Sequence, residues 1–148
     1  MNKINVHTAY INLVTNKIKL LNNDLESLLK DSENETKSSA GDKHETAKSL
    51  LQLQQEKLSI QLNDAHLQLQ ALQKINPAQI NPTVNVGSLV HTNNGYLYIS
   101  VALGKIKIDD SSVMAVSAQA PIGVALKGCA PNTKVVCNGV EFVVLSTV

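Results

Sequence analysis

Apolar residues recur at alternating steps of three and four through the N-terminal half, and this period constrains the fold more than any other feature. One series runs through Ile11, Val14, Ile18, Leu21, Leu25 and Leu28. A second runs through Leu51, Gln55, Leu58, Leu62, Ala65, Leu69 and Leu72, with Gln55 as its one polar member. A heptad pattern held over this length is typical of a coiled coil, in which a narrow seam of each helix contacts a partner helix.

The two series lie symmetrically about residue 40, and a polar stretch over residues 31–42 separates them. A chain that folds back on itself there would place one seam against the other. The sequence therefore predicts an antiparallel coiled-coil hairpin with its tip near residues 36–45. Each arm would hold about 30 residues and reach roughly 45 Å. Because the hairpin is intramolecular, it needs no second chain, and we expect a monomer.

Composition changes sharply after residue 75. Residues 1–75 contain no proline, whereas all four prolines and six of the seven glycines lie in residues 76–148. Two Asn-Pro pairs, at 76–77 and 81–82, favour extended backbone and end an incoming helix. We predict a helical hairpin over residues 1–75, a linker over 76–84 and a second domain over 85–148.

The sequence of the second domain predicts short strands and one short helix. Alternating or apolar runs predict strands at residues 86–90, 96–101, 105–108, 113–116, 134–137 and 140–145. Asn138-Gly139 between the last two is a strong hairpin signal. Pro121 favours a helix start, and Gly128 favours its end. The expected fold class is α+β, with a small antiparallel β domain following the helices.

Charge and composition exclude several classes of function. Thirteen basic and twelve acidic residues give a formal net charge of +1, which disfavours a protein that wraps DNA. Only three tyrosines and one phenylalanine are present, so platforms for stacking bases are not expected. Neither an apolar secretion segment nor a membrane-spanning run is found, and we expect a cytoplasmic protein without membrane contact. Cys129 and Cys137 are too few for a disulfide framework and lack zinc-ligand spacing.

Asp42 and Glu45 at the predicted tip are the main candidates for chemistry. Residues three apart share one face of a helix, so the two carboxylates would hold one edge of a divalent cation. The same spacing is also a capping box, with Asp42 as the N-cap and Glu45 reaching back. The two interpretations do not exclude each other. His44 beside the pair is a candidate ligand or proton carrier, although a lone exposed histidine is more often neither.

Two stretches resemble the GreA/GreB transcript-cleavage factors of bacterial RNA polymerase. The family's tip motif, Gly-Asp-Leu-Lys-Glu-Asn-Ala-Glu-Tyr, matches residues 41–49 at Gly41, Asp42, Glu45 and Ala47. The family's second signature, Ser-Pro-Ile-Gly-x-Ala-Leu-x-Gly, matches residues 120–128 at every defined position except Ala120. In the tip motif, Thr46, Lys48 and Ser49 replace Asn, the second Glu and Tyr. The resemblance covers almost the whole chain.

The resemblance implies a coiled-coil hairpin followed by an FKBP-like domain, and an accessory factor rather than an enzyme. In the family the hairpin enters the secondary channel of RNA polymerase, and its tip reaches the active centre. Asp42 and Glu45 would then help to hold a Mg²⁺ ion that belongs to the polymerase, next to backtracked nascent RNA. This is two-metal phosphodiester hydrolysis with its ligands divided between two proteins. The chain would carry no cofactor of its own.

Three alternatives remain open at the level of sequence. Some coiled-coil proteins of this superfamily occupy the same channel and regulate polymerase without cleavage, and the altered tip residues favour this hypothesis. A peptidyl-prolyl isomerase would need an aromatic pocket, for which residues 85–148 offer only Tyr96, Tyr98 and Phe142. A prefoldin-like holdase would expose apolar groups at its tips, whereas this tip is polar.

Overall fold

The computed structural model describes the backbone of residues 1–36 and 41–148, and the side chains of all residues except 35–44. Two long helices come first, α1 (Lys3–Thr36) and α2 (Gly41–Gln73). The strands and one short helix follow: β1 (Leu89–Thr92), β2 (Gly95–Ser100), β3 (Gly104–Ile108), β4 (Ser111–Ser117), α3 (Pro121–Leu126), β5 (Lys134–Cys137) and β6 (Val140–Thr147). The predicted α+β class is confirmed.

Burial along α1 and α2 follows the heptad seams. Every apolar seam residue, from Ile11 to Leu28 and from Leu51 to Leu72, is buried or half-buried, whereas Gln55 is exposed. Leucines outside the seams face solvent, and Leu20 and Leu53 are 64% and 61% exposed. Residues 24–31 of α1 and 54–61 of α2 line one shallow groove, so the helices lie side by side. The heptad pattern therefore identified the packed face of each helix correctly.

The linker ends α2 as the Asn-Pro pairs predict. The helix stops at Gln73, and Asn76 then forms a local turn in which the Ala78 amide donates to its side-chain oxygen at 3.0 Å. Contacts divide the chain into two compact units, one of Met1–Ile11 with Gln70–Val148 and the other of Asn12–Leu69. The start of α1 and the last residues of α2 thus belong to the unit that contains the sheet. The predicted domains over 1–75 and 85–148 stay a prediction.

The six strands form one sheet in the order β3-β4-β2-β1-β6-β5. The prediction of a purely antiparallel domain is wrong at one place, because β2 and β4 pair in parallel, with Leu97 opposite Met114. Strand β4 inserts between β2 and β3, so β3 forms the sheet edge instead of pairing with β2. Periodicity finds each strand, but it carries no information about which strands become neighbours.

The first strand is also displaced from its predicted position. Residues 86–90 were expected, and β1 spans Leu89–Thr92. Gly87 has a φ of +87°, and the Ser88 amide donates to the Asn85 carbonyl at 3.0 Å. This turn occupies residues 85–88, which include the start of the predicted strand, so β1 begins after it. By contrast, Asn138 and Gly139 have φ values of 52° and 76°, which confirms the hairpin turn predicted between β5 and β6.

A different helix packs against each face of the sheet. Leu97 and Ile99 point to one face and join a buried cluster with Leu126 of α3, the other members being Val84, Val90, Val116 and Val144. Tyr98, between them, points to the opposite face and contacts the first turns of α1. Because successive side chains of β2 point to opposite faces, Leu97 and Ile99 join the core beneath α3, whereas Tyr98 contacts α1.

Candidate functional site

The carboxylate pair lies in the first turns of α2. The helix begins at Gly41, so Asp42 lies in its first turn and Glu45 lies three residues further on, on the same side of the helix. The Glu45 side chain is exposed. Within the predicted tip near residues 36–45, residues 37–40 and the side chains of Asp42 and His44 lie outside the described residues, so the metal-directed role of the pair stays a prediction.

The capping box stays a prediction. It assigns Asp42 to the N-cap and Glu45 to the position three residues further on, where its side chain would reach back. The helix is observed from Gly41 onward, and the side chain of Asp42 lies outside the described residues, so the capping contacts are not tested.

The donor set of this pair suits magnesium, which is usually bound by one or two carboxylates together with waters and substrate phosphates. Two carboxylates alone bind the ion weakly. Across the described side chains, no group of three or more histidine, cysteine, aspartate or glutamate residues could hold a metal ion. Asp42 and Glu45 would therefore act on a metal only if another molecule supplied further ligands.

Helix α3 carries the second signature, and its packing explains most of that motif. Pro121 is at the start of the helix, where its missing amide hydrogen costs nothing. Gly123 is buried, and a Cβ atom on it would lie 2.2 Å from the backbone oxygen of Ser117. No other residue fits there without moving the end of β4. Leu126 completes the helix and is fully buried in the core.

The last glycine of the signature ties the helix end to the linker. Gly128 has a φ of +78°, which glycine adopts at little cost. Its amide donates to the Val84 carbonyl at 2.8 Å, and the Val84 amide donates to the Cys129 carbonyl at 2.9 Å. The signature at residues 120–128 thus fixes one short helix between β4 and the linker, and its residues have structural roles.

A buried polar cluster of His7, Tyr10 and Tyr98 was missed by sequence analysis. His7 Nδ1 lies 2.7 Å from the Tyr98 hydroxyl, and the Tyr10 and Tyr98 rings stack with centroids 6.0 Å apart. The Tyr10 hydroxyl accepts from the Ala115 amide at 3.0 Å and lies 2.8 Å from the carbonyl oxygens of Gly104 and Val113. It anchors α1 to β3 and β4.

Burial shifts the ionisation of all three side chains toward their neutral forms. Removal from water lowers the pKa of His7 from its ordinary 6.5. The same cause raises the pKa of Tyr98 to about 12. It also raises the pKa of Tyr10 to about 12, against the opposing effect of backbone hydrogen bonds. Near neutral pH the cluster is therefore uncharged, as its buried position requires.

A pattern in α1 does signal this cluster in retrospect. Lys3, Val6, His7, Tyr10 and Val14 share one helix face at steps of three and four, and all five are buried. The Lys3 ammonium reaches the Gln79 carbonyl in the linker, and burial lowers the pKa of Lys3. This face starts before the heptad seam and shares Val14 with it.

Cys129 and Cys137 are free, and each is half-buried. None of the helices in the described part of the chain is both long enough and apolar enough to span a membrane.

Comparison with solved structures finds a similarity to a transcription factor, whereas the sequence comparisons find none. No protein-family model matches the sequence, and no curated protein matches it. The solved structure of the transcription factor Gfh1 is similar over 93% of this chain and 92% of that chain, with 13% sequence identity and a TM-score of 0.37. A likeness of this degree carries no argument about fold or function, so the proposed function rests on the residues of this chain.

Proposed function

We propose that this chain is a transcription factor of the GreA/GreB type, which binds a bacterial RNA polymerase and stimulates cleavage of backtracked RNA. It would work in the cytoplasm as a monomer. The observation that carries the proposal is the coincidence of two features in one chain. A long helical pair carries Asp42 and Glu45 at the start of its second helix, and the nine-residue signature at 120–128 forms a helix at the sheet.

The helix lengths suit a factor that reaches into a channel. Helices α1 and α2 contain 34 and 33 residues, which correspond to about 50 Å each. The seam buries one narrow face of each helix, and the outer faces carry exposed polar residues such as Glu26 and Lys30, which pair at 3.7 Å.

The proposed chemistry assigns a limited part to this chain. Asp42 and Glu45 would add two negatively charged ligands to a magnesium ion held by the polymerase, and the ion would supply the activation of water for hydrolysis. The pair would orient the ion relative to the displaced 3′ end of the RNA. Because Glu45 is exposed, it is accessible to a partner without rearrangement. The chain itself would not be an enzyme, and DNA contact is not part of the proposal.

A second candidate function is a regulator that occupies the same channel without stimulating cleavage. The observation that favours it is the sequence after Glu45, where Thr46, Lys48 and Ser49 differ from the family's tip motif. Lys48 replaces a carboxylate with a cation one turn of helix from Glu45. A cation there would oppose the binding of magnesium through electrostatic repulsion.

One experiment with the unaltered protein separates the two candidates. The chain is mixed with core RNA polymerase, the complex is isolated by gel filtration, and RNA length is followed in arrested elongation complexes. The cleavage factor shortens the RNA in a magnesium-dependent manner. The regulator binds the polymerase and slows elongation without shortening the RNA. Failure to bind polymerase contradicts both.

A further inference from the structure

The core face of the sheet is only partly covered by α3, and the uncovered part forms a cleft. Helix α3 has six residues, about 9 Å, whereas the sheet beneath it has six strands. Ile122 at its first turn marks the border of the covered area. Beyond Ile122 lies a cleft of about 500 Å³, whose walls come from β2, β3, β4 and the hairpin of β5 and β6. All of these walls belong to the sheet unit.

The floor of the cleft is a row of residues that crosses three neighbouring strands. Leu97 of β2 lies opposite Met114 of β4, and Met114 lies opposite Lys105 of β3. Leu97 is 8% exposed, Met114 is 37% exposed, and Lys105 is exposed. Phe142 on β6 adds an aromatic ring to the apolar side. The row therefore passes from a buried apolar floor to a cation at the rim.

The described lining of the cleft carries positive charge and no negative charge. Among the described residues that line it, Lys105 is the single charged side chain, and the remaining polar residues are neutral, such as Ser111, Ser112 and Asn138. An acidic side chain is not among them. An apolar ligand with one negative group would thus find a complementary charge at the rim, whereas a cationic ligand would meet repulsion.

We propose that this cleft binds a small amphiphilic anion, with its apolar body on Leu97, Met114 and Phe142 and its carboxylate beside Lys105. The volume lies within the range of small-molecule pockets, and an apolar lining with few polar groups is typical of them. A peptide strand would instead add to the free edge of β3, where Lys105 and Lys107 discourage pairing. The inference goes beyond the proposed function and does not depend on it.

The test uses decanoate as the probe, with isothermal titration calorimetry on the full chain near neutral pH. Decanol and decyltrimethylammonium have the same chain length with no charge and a positive charge. We expect saturable binding of one decanoate per chain, with decanol bound about five-fold more weakly, as suits an ion pair at an exposed rim. The cationic analogue should bind more weakly than decanol.

Matched variants locate the site. Lys105→Gln should weaken decanoate about five-fold and leave decanol unchanged. Lys107→Gln is the control, because Lys107 is on the same strand, lies outside the cleft lining and pairs with Asp110 at 3.9 Å. Met114→Gln, at a partly exposed position that tolerates polarity, should weaken decanoate and decanol together. Circular dichroism of each variant checks that the fold is retained.

Four outcomes overturn the proposal, and the first three come from the titrations. Decanoate fails to bind saturably, or decanol binds as tightly as decanoate, or Lys105→Gln and Lys107→Gln have equal effects. A cleft filled by a second copy of the chain would give a dimer in sedimentation and no decanoate binding, which also overturns it. None of these results involves RNA polymerase, so this inference and the proposed function fail independently.

Discussion

His7 Nδ1 and the hydroxyl oxygen of Tyr98 lie 2.7 Å apart in a buried hydrogen bond that joins residues 91 positions apart in the sequence. The contact ties the second turn of α1 to the middle of β2. The first turns of α1 therefore pack against the sheet and belong to the same compact unit.

Tyr98→Phe should destabilise the protein by about 1–3 kcal/mol, because it leaves a buried ring nitrogen of His7 without a partner. The aromatic stacking with Tyr10 is retained in this variant, so the loss reports the hydrogen bond. Urea unfolding followed by circular dichroism measures it. Tyr96→Phe is the control, since Tyr96 is half-buried and stacks on His91. An equal loss in both variants would contradict the assignment.

Stability should decrease as the pH falls below the ordinary histidine value. Burial lowers the pKa of His7, so below about pH 6.5 the unfolded chain binds more protons than the folded chain. The stabilisation is fully present above that pH and is lost as the pH falls toward the folded-state value. Urea midpoints between about pH 5 and 7.5 measure the decrease.

Histidine variants identify the group responsible for this pH dependence. His7→Gln should flatten the decrease, whereas His66→Gln, at an exposed position of α2, should leave it unchanged. A pH dependence that survives in His7→Gln would assign the effect to other groups.

Neighbouring leucines of α1 test the heptad seam. Leu28 is in the seam and 9% exposed, whereas Leu29 is outside it and 44% exposed. Leu28→Asp should cost about 3 kcal/mol or more, because it buries a charge without a partner. Leu29→Asp should cost much less, since its side chain reaches water. Thermal unfolding followed by circular dichroism measures the stability lost in each variant. Similar losses in the two variants would show that the helices do not pack through the seam.

Glycine variants separate close packing from backbone strain. Gly123→Ala should destabilise by about 2 kcal/mol or more, since its Cβ would meet the Ser117 backbone oxygen. Gly139→Ala meets no atom within 4 Å and has a φ of 76°, so it should cost only the strain, about 1 kcal/mol. Denaturation midpoints rank the two, and the reverse order would contradict the packing assigned to α3.

Sequence predicted the local structure well where one physical signal dominates. The heptad steps identified the buried faces around Leu28 and Leu58, proline ended α2, and Asn138-Gly139 fixed a turn by its backbone preference. Short-range chemistry decides each of these features. The helix of residues 121–126 was predicted with its observed bounds for the same reason, because Pro121 and Gly128 act within one turn.

Features that depend on distant residues were missed. The parallel pairing of β2 with β4 is decided by tertiary packing, which leaves no periodic trace in the sequence. The contact between His7 and Tyr98 also depends on tertiary packing, and the periodic face of α1 that carries His7 does not by itself identify Tyr98 as the partner. The cleft beside Ile122 arises because α3 is shorter than the sheet is wide, and that is visible only in three dimensions. For the candidate tip, sequence supplied Asp42 and Glu45 through a motif, and the structure adds the helix that bears them.

The central claim is that Asp42 and Glu45 act on a metal ion in the polymerase active centre, and the rate of RNA cleavage in arrested complexes tests it most directly. Asp42→Asn with Glu45→Gln removes two charges at nearly constant size, and Glu56→Gln with Asp64→Asn removes two charges from exposed positions further along α2. We predict that the tip variant binds polymerase but loses stimulation by about 10- to 100-fold or more, since even the outer-shell partners of a metal ion contribute on this scale. The control variant should cleave at the parent rate. Cleavage by the tip variant at the parent rate would contradict the claim.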